Sequence, residues 1–161
     1  MLLSKPCSSV PVASQYQVTV PNTLDSLLTL SQWLEQVALA LNLSARALFR
    51  LQLAAEEAVT NIIQNAYGDD RSHEIQVCLS QVDRHLTLRI QDDGLSFNPL
   101  QYANQSFPMT LEAAQKGGMG LHLIRHFSDE CRYQRRGEFN VLEVVLEEGL
   151  EVDRDSSGAV C

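Results

Sequence analysis

The amino-acid sequence predicts an α+β domain of two layers, in which helices pack on one face of a mixed, mostly antiparallel sheet. Three observations favour this fold class. Two amphipathic stretches follow the first strand candidate, the later strand candidates come in pairs joined by short turns, and helices do not alternate with every strand. Strands joined by short turns pair antiparallel, which leaves one face of the sheet for the helices.

The first half of the chain predicts one strand and two helices. Residues 16–20 alternate between polar and apolar side chains, as a half-buried strand does. Apolar residues then recur at helical spacing from Leu27 to Leu41, which predicts the first helix. Ser44 is a natural N-cap for a second helix, which we expect to run to about Tyr67 and to end at Gly68.

The second half predicts two hairpins, one helix and a long connection. Four strands are expected, in two consecutive pairs, at residues 73–80, 85–91, 130–135 and 139–146. Residues 93–118 contain two prolines and three glycines and show weak periodicity, so they are predicted to form an irregular connection. Connections of this length are usually functional in compact domains. Helical spacing resumes over residues 121–127.

Length and charge limit the domain count and the classes of partner. The 161 residues suffice for one core, with residues 16–148 as the predicted domain and residues 1–15 and 149–161 expected to be flexible. Twelve basic against twenty acidic residues give a formal net charge of -8, which opposes direct binding to nucleic acid or to an anionic membrane. We therefore expect neither as a partner, and the basic run from Arg132 to Arg136 is interpreted as a solvated strand edge.

The cysteines and the apolar segments favour a cytoplasmic protein. The four cysteines are far apart and form no CxxC pair, so they suggest neither a metal site nor a disulfide framework. The N-terminus lacks the apolar segment of a secretory signal, and no window approaches the roughly 18 apolar residues that a membrane span needs. Reduced thiols and a cytoplasmic location are the expectation.

The first polar motif lies within the second predicted helix. Glu57, Asn61 and Asn65 are spaced four residues apart, so they form one polar stripe along the helix beside an apolar face. Taken by itself, this spacing is also that of an ordinary solvated helix face. The alternative is a carboxylate and two amides at the edge of a binding site.

The second motif follows the apolar strand at residues 86–90. Asp92 ends this strand, and Gly94 comes two residues later. A glycine lets a flat ligand approach the backbone closely, and the carboxylate could accept a hydrogen bond from an exocyclic amine. An ordinary Asp-Gly turn is the alternative.

The third motif is a glycine cluster that leads directly into the last predicted helix. It contains Gly117, Gly118 and Gly120, followed by Leu121. Free N–H groups at a helix start and the positive end of the helix dipole favour an anion, and glycines let phosphate oxygens approach. A flexible hinge is the alternative.

The three motifs, in this order and on these elements, resemble the N, G1 and G2 boxes of the Bergerat ATP-binding fold. That superfamily, also called GHKL, includes histidine kinases, gyrase-type ATPases and bacterial anti-sigma serine kinases. The resemblance covers about residues 16–147. The short domain, the run from Glu56 to Asn61 and the run from Gly120 to Arg125 look most like the anti-sigma serine-kinase branch.

The resemblance implies a role for each motif residue. Asn61 matches the family's Mg²⁺ ligand, Glu57 its general base, and Asp92 the aspartate that binds adenine. The other positions implied to contact ATP are Asn65, Gly94, Gly117, Gly118, Gly120 and Leu121. Of the two acidic pairs, the register selects Glu57 over Glu56 and Asp92 over Asp93. ATP and Mg²⁺ are therefore the expected cofactors.

The sequence departs from the family pattern in three places. The last strand lacks the threonine that in many relatives helps the aspartate to hold adenine through water, and Asn140 is the nearest polar substitute. The segment from Leu100 to Lys116 is a short lid in comparison with histidine kinases. No phosphoacceptor histidine helix precedes it, which disfavours a detached histidine-kinase domain.

The resemblance implies an anti-sigma regulatory factor with serine protein kinase activity. Such a protein transfers the γ-phosphoryl group of ATP to a serine of an anti-anti-sigma partner of the STAS type, and it sequesters a sigma factor. The alternative is a nucleotide-gated regulator that binds its partner with little or no kinase activity. The sequence leaves open whether the chain forms a homodimer.

Overall fold

The computed structural model of the chain describes residues 14–102 and 119–148. The strands are β1 (Ser14–Pro21), β2 (Glu74–Val82), β3 (His85–Asp92), β4 (Glu130–Arg136) and β5 (Phe139–Glu147). The helices are α1 (Ser26–Ala40), α2 (Ala45–Asn65), α3 (Pro99–Tyr102) and α4 (Met119–Phe127). Of the two segments expected to be flexible, only Ser14 and Gln15 are described, and both belong to β1. No helix among the described residues is long and apolar enough to span a membrane.

The five strands form one sheet in the order β1-β2-β3-β5-β4. All four pairings between them are antiparallel, so the sheet is not mixed within the described residues. The β4–β5 turn is tight, with Gly137 at a φ of 60°, a backbone conformation that glycine adopts at little cost. The predicted α+β class, with helices on one face of the sheet, is confirmed.

The hydrophobic core lies between the sheet and the two long helices. Leu34 of α1 and Leu51 and Val59 of α2 are fully buried there. The sheet contributes the inward-facing residues Ile75, Val77, Leu79, Leu86, Leu88, Ile90, Val144 and Leu146. Each buried leucine or valine stabilises the fold by about 1.5–3 kcal/mol, so this packing fixes α2 on the sheet.

Strand β3 carries the core alternation through to its last residue. Leu88 and Ile90 point into the core, so Asp92 lies on the same helix-covered face. Asp92 is paired with Asn140 of β5, and Asn140 is paired with Arg135 of β4. The register therefore gathers three polar side chains at one end of the sheet.

Helix α2 begins at the expected cap but ends earlier than the sequence suggests. Ser44 is extended, and its hydroxyl accepts a hydrogen bond from Ala47 N at 3.1 Å. The helix ends at Asn65, and Gly68 does not adopt the positive φ of a glycine cap. Tertiary contacts end the helix instead, because the carbonyl of Ala66 accepts a hydrogen bond from Leu95 N at 2.8 Å. The predicted end at Tyr67 was wrong by two residues.

The predicted irregular connection contains a short helix. Pro99–Tyr102 forms α3, whose first turn is capped by the side-chain oxygen of Asn98, 3.0 Å from Leu100 N. Helix α4 starts at Met119 rather than at the expected Leu121. Residues 103–118, which include most of the predicted lid, lie outside the described residues.

Arg50 of α2 ties this helix to the far ends of α4 and β5. Its Nε donates to the carbonyl of Phe127 at 2.6 Å, and its Nη1 donates to that of Glu147 at 3.3 Å. Its Nη2 lies 2.9 Å from the carboxylate of Asp129. One guanidinium thus fixes the C-terminal end of α4 against α2.

Candidate nucleotide-binding site

A pocket opens between α2, the inner face of the sheet and the segment after β3, with about 460 Å³ of space that includes its solvent-filled mouth. Its walls are mainly apolar, with Ile62 of α2, Ile90 and Leu142 of the sheet, and Phe97 and Pro99 beyond β3. The polar side chains that line it are Asn61, Asn65, Asp92, Tyr133 and Asn140. An apolar cleft with a few convergent polar groups suits a flat, partly polar ligand such as a purine base.

Asp92 is buried at one end of this pocket. Only 4% of it is exposed, whereas Asp93 is exposed. The hydrogen bonds that the described residues donate to Asp92 come from Gly94 N at 2.8 Å and Asn140 Nδ2 at 2.9 Å, and both end on Oδ1. Burial raises the pKa of this carboxyl, and the two hydrogen bonds oppose that increase. Oδ2 is thereby left for a ligand.

Gly94 occupies a position where a side chain would not fit. A Cβ atom there would lie 2.5 Å from the Cβ of Ala66, 2.7 Å from its carbonyl oxygen and 2.8 Å from Oδ1 of Asp92. The neighbouring Leu95 donates its N–H to the same carbonyl. Gly94 therefore allows the chain after β3 to pack directly on the end of α2.

Asn140 connects Asp92 to the edge of the sheet. Its Nδ2 donates to Asp92 Oδ1 and to Leu95 O, both at 2.9 Å. Its Oδ1 accepts from Tyr133 Oη at 2.7 Å and from Arg135 Nη1 at 3.0 Å. We call Asp92, Gly94, Tyr133, Arg135 and Asn140 the strand-end network.

Sequence reasoning missed two members of this network, Tyr133 and Arg135. Arg135 is exposed, as expected of a solvated strand edge, and its Nη1 also donates to Gly94 O at 2.8 Å and to Asn140. The hairpin register decides this pairing: the observed turn residues are Gly137 and Glu138, which places Arg135 opposite Asn140, whereas a turn at Arg136-Gly137 would place it opposite Glu138. Only the observed register therefore identifies the strand partner of Asn140 as part of the site.

Asn61 and Asn65 line the pocket along α2. Asn65 is exposed, and its Nδ2 donates to the backbone carbonyl and to Oδ1 of Asn61, each at 3.1 Å. The amide oxygen of Asn61 has a second lone pair that this contact does not use. A hard amide oxygen at the rim of a pocket fits one position in the coordination shell of Mg²⁺, whose other ligands would be water and phosphate.

Glu57 lies one helical turn before Asn61 and is half-buried, whereas Glu56 is exposed. Burial, and secondarily the charge of Glu56, raise the pKa of the Glu57 carboxyl. A Cβ atom on Gly120 would fall on Oε2 of Glu57, so this carboxylate lies against the first turn of α4. An ordinary solvated helix face does not have this arrangement.

The glycine motif is only partly described. Gly120 and Leu121 lie in the first turn of α4, while Gly117 and Gly118 lie outside the described residues. The close approach of Glu57 leaves no room for a side chain at position 120, which accounts for Gly120. The phosphate contacts expected of Gly117, Gly118, Gly120 and Leu121 stay predictions.

Comparisons with known proteins identify a family and relatives that agree with one another. The sequence pattern of the family described as histidine kinase-like ATPase domain matches residues 20–146. The serine/threonine-protein kinase BtrW of Bordetella bronchiseptica is 38% identical over 128 residues, which are 80% of this chain and 87% of that protein. The serine-protein kinase RsbW of Bacillus subtilis is 30% identical over 111 residues, covering 66% of this chain and 69% of that protein.

Two solved structures share the fold. The structure of the RsbU and RsbW domains of a Mycobacterium tuberculosis protein has a TM-score of 0.59 at 14% identity, covering 84% of this chain and 32% of that chain. The blue-light activated histidine kinase EL346 of Erythrobacter litoralis has a TM-score of 0.51 at 19% identity, covering 66% of this chain and 32% of that chain. This chain thus spans about a third of each.

These findings confirm the predicted superfamily and its branch. Besides the relatives named as serine-protein kinases, an anti-sigma F factor of Clostridium novyi is 25% identical over 63% of this chain and 70% of that protein. The family is one of ATPase domains, which implies ATP as the ligand. The matched region includes the whole described pocket, and the chain belongs to the histidine kinase-like ATPase domain family.

Proposed function

We propose that this protein is an anti-sigma regulatory factor with ATP-dependent serine kinase activity. It transfers the γ-phosphoryl group of ATP to a serine of a STAS-type anti-anti-sigma partner and sequesters a sigma factor. The observation that carries the proposal is a single pocket that joins the buried Asp92 to Asn61, with the half-buried Glu57 one helical turn beyond.

The end of the pocket at Asp92 suits adenine. Ile90, Leu142 and Ile62 offer apolar surface to the faces of a base. Oδ2 of Asp92 accepts a hydrogen bond from the exocyclic amine, because the described donors occupy Oδ1. Gly94 lets the segment after β3 pack on Ala66, and both Ala66 and Leu95 line this end of the pocket.

The polar stripe places the proposed metal ligand and the proposed general base along α2, beyond the adenine position. Asn61 would hold Mg²⁺ through its amide oxygen, with Asn65 orienting that amide. A bound Mg²⁺ neutralises charge on the phosphates. The contact between Gly120 and Glu57 brings the first turn of α4 to the same place, where its N–H groups favour an anion.

Glu57 is the general base of the proposed reaction. The serine hydroxyl of the partner gives its proton to the carboxylate as its oxygen bonds to the γ-phosphorus. The bond between that phosphorus and the bridging oxygen breaks, and ADP leaves. The raised pKa of Glu57 makes it a better proton acceptor than an exposed carboxylate. Positioning and charge neutralisation supply most of the remaining acceleration.

The proposed partners follow from the relatives. Proteins named serine-protein kinase RsbW and anti-sigma F factor are similar to this chain over most of its length. The formal net charge of -8 disfavours direct contact with DNA, so regulation through a sigma factor is the natural route to transcription. A homodimer and a cytoplasmic location complete the proposal.

Phosphate transfer tests the proposal directly. The purified chain is incubated with ATP, Mg²⁺ and STAS-type proteins from the same genome, and phosphoserine on the STAS protein is measured by mass spectrometry. We expect phosphoserine to form readily with the wild type and with Glu56→Gln, and far more slowly with Glu57→Gln. An ATP-dependent complex without phosphoserine would support the nucleotide-gated regulator. A chain that does not bind ATP would refute both functions.

A further inference from the structure

Asn140 uses its whole side-chain hydrogen-bonding capacity inside the protein. A side-chain amide has two N–H donors and two acceptor lone pairs. The donors go to Asp92 Oδ1 and Leu95 O, and the acceptor positions receive Tyr133 Oη and Arg135 Nη1. Only 6% of Asn140 is exposed. The residue therefore has no hydrogen bond left to offer a ligand, although it lines the pocket.

The sequence suggested Asn140 as a substitute for a threonine that reaches adenine through water. The structure gives it another task, because its amide donates directly to Asp92 at 2.9 Å. Together with Gly94 N, it fixes the plane of the carboxylate and occupies one oxygen. Oδ2 of Asp92 is then left to contact the bound base.

We infer that Asn140 is a positioning residue, which keeps Asp92 an oriented hydrogen-bond acceptor and so makes the pocket select a 6-amino purine over a 6-oxo purine. A 6-amino group donates to the carboxylate oxygen. A 6-oxo group would place its lone pairs against that oxygen, which leaves Oδ2 of the buried carboxylate without a donor. The inference rests on the proposed function, since it assumes that the base binds beside Asp92.

The charges around Asp92 make the donation from Asn140 decisive. Burial raises the pKa of Asp92, and the hydrogen bond from Asn140 is the largest interaction that lowers it. The charge of Asp93 raises the pKa and that of Arg135 lowers it. Burial and the charges of Asp92 and Asp93 raise the pKa of the Tyr67 hydroxyl. Without Asn140, the carboxyl would hold its proton to higher pH and could then donate to a 6-oxo group.

Paired titrations with ATP and inosine triphosphate test the inference. The two nucleotides differ at position 6 of the base, and binding is measured by calorimetry with Mg²⁺ over a range of pH. We expect the wild type to prefer ATP by at least about tenfold. Leucine is similar in size to asparagine but has no donor, so in Asn140→Leu the ratio of the affinities for ATP and inosine triphosphate should fall towards one. The pH below which ATP binding is lost should rise.

Two milder variants supply graded controls. Asn140→Thr keeps one hydroxyl donor, so its ATP preference should lie between those of the wild type and Asn140→Leu. Tyr133→Phe removes only one of the donors that orient Asn140 and should give a smaller loss. Thermal unfolding followed by circular dichroism identifies the variants that fold. If Asn140→Leu does not fold, Asn140→Thr and Tyr133→Phe are used to test the inference. Folded variants with the wild-type preference and pH profile would overturn the inference.

A measurement on the free protein separates this inference from the proposed function. Nuclear magnetic resonance follows the carboxyl carbon of Asp92 as pH changes, without any nucleotide. The titration midpoint should be higher in Asn140→Leu or Asn140→Thr than in the wild type, and an unchanged midpoint would overturn the inference. A wild-type chain that does not bind ATP would instead refute the nucleotide site, whatever the midpoint shows.

Discussion

The strand-end network and the polar stripe both contribute residues to the same pocket, but the two sets are built in different ways. In the network, Asp92 and Asn140 are 4% and 6% exposed and are joined across 48 residues of sequence. In the stripe, Asn65 is exposed and is joined to Asn61, four residues away on the same helix. The first set is fixed by strand register and the second by helix periodicity.

Because the two sets are built differently, mutations in the network and mutations in the stripe should have different effects. A change in the network removes long-range packing, so nucleotide affinity and stability should change together. A change in the stripe alters side chains on one face of a helix whose buried face is untouched. Chemistry or metal dependence should then change while the fold remains.

The largest expected effect is on phosphate transfer, in Glu57→Gln. The amide keeps the shape of the side chain but accepts a proton poorly, so transfer to the partner should fall by about 10² to 10⁴. ATP affinity and the melting temperature should stay near the wild type. Single-turnover transfer of labelled phosphate measures the rate, with Glu56→Gln as the matched exposed control. Transfer at the wild-type rate would remove Glu57 from the mechanism.

A large loss of stability is expected from Gly94→Ala. The added Cβ would lie 2.5 Å from the side chain of Ala66 and 2.7 Å from its backbone carbonyl, so the chain must shift. Overpacking of this kind costs about 1–3 kcal/mol, and ATP binding should fall as well. Urea unfolding measures the loss. The control is Gly68→Ala, where nothing lies within 4 Å of the added atom. Equal stability of the two variants would contradict the packing described for Gly94.

Asp92→Asn should weaken ATP binding by at least about tenfold, or about 1.4 kcal/mol, because it removes a charge-assisted hydrogen bond to the adenine amine. Calorimetric titration gives the affinity, and circular dichroism checks the fold. Asp93→Asn is the matched control, since that neighbouring carboxylate is exposed. An affinity equal to that of the wild type would refute the adenine assignment.

Asn61→Ala should remove the Mg²⁺ dependence of ATP binding and change stability by no more than about 0.5 kcal/mol. ATP titrations with Mg²⁺ and with a chelator measure the dependence. Gln64→Ala, an exposed change on the same helix, should retain it. If Mg²⁺ strengthens binding to Asn61→Ala as much as to the wild type, the metal is held elsewhere.

The smallest expected effect is a pH-dependent difference in stability between Asp92→Asn and the wild type. Because burial raises the folded pKa of Asp92, the neutral carboxyl contributes stability that is fully present below the unfolded pKa, about 3.9. That contribution is lost as pH rises through the folded pKa. The variant should therefore gain stability relative to the wild type over this interval. Urea unfolding at several pH values measures it, and parallel pH curves would contradict a raised pKa.

The parts of the site that depend on local spacing could be predicted from the sequence. The four-residue period of Glu57, Asn61 and Asn65 sets one helix face, and the strand alternation puts Asp92 inside and Asp93 outside. Both follow from backbone geometry that a single element already has. They needed no knowledge of tertiary contacts.

The parts that depend on contacts between distant elements could not be predicted in this way. The end of α2 is set by the hydrogen bond between Ala66 and Leu95, and no local cap indicates it. The contact of Gly120 with Glu57 joins residues 63 positions apart. Arg135 carries the charge of a solvated residue, and only its place opposite Asn140 shows that it supports the site.

Helix α4 packs on α2 along its length, with Ile124 buried between its two ends. Arg50 holds its C-terminal residue, Phe127, while its N-terminal turn rests against Glu57 through Gly120. A nine-residue helix is about 13 Å long, so a tilt of about 10° would move one end by about 2 Å relative to the other. Such a tilt would change the contact between Gly120 and the Glu57 carboxylate, so the position of α4 and that of the proposed base are coupled.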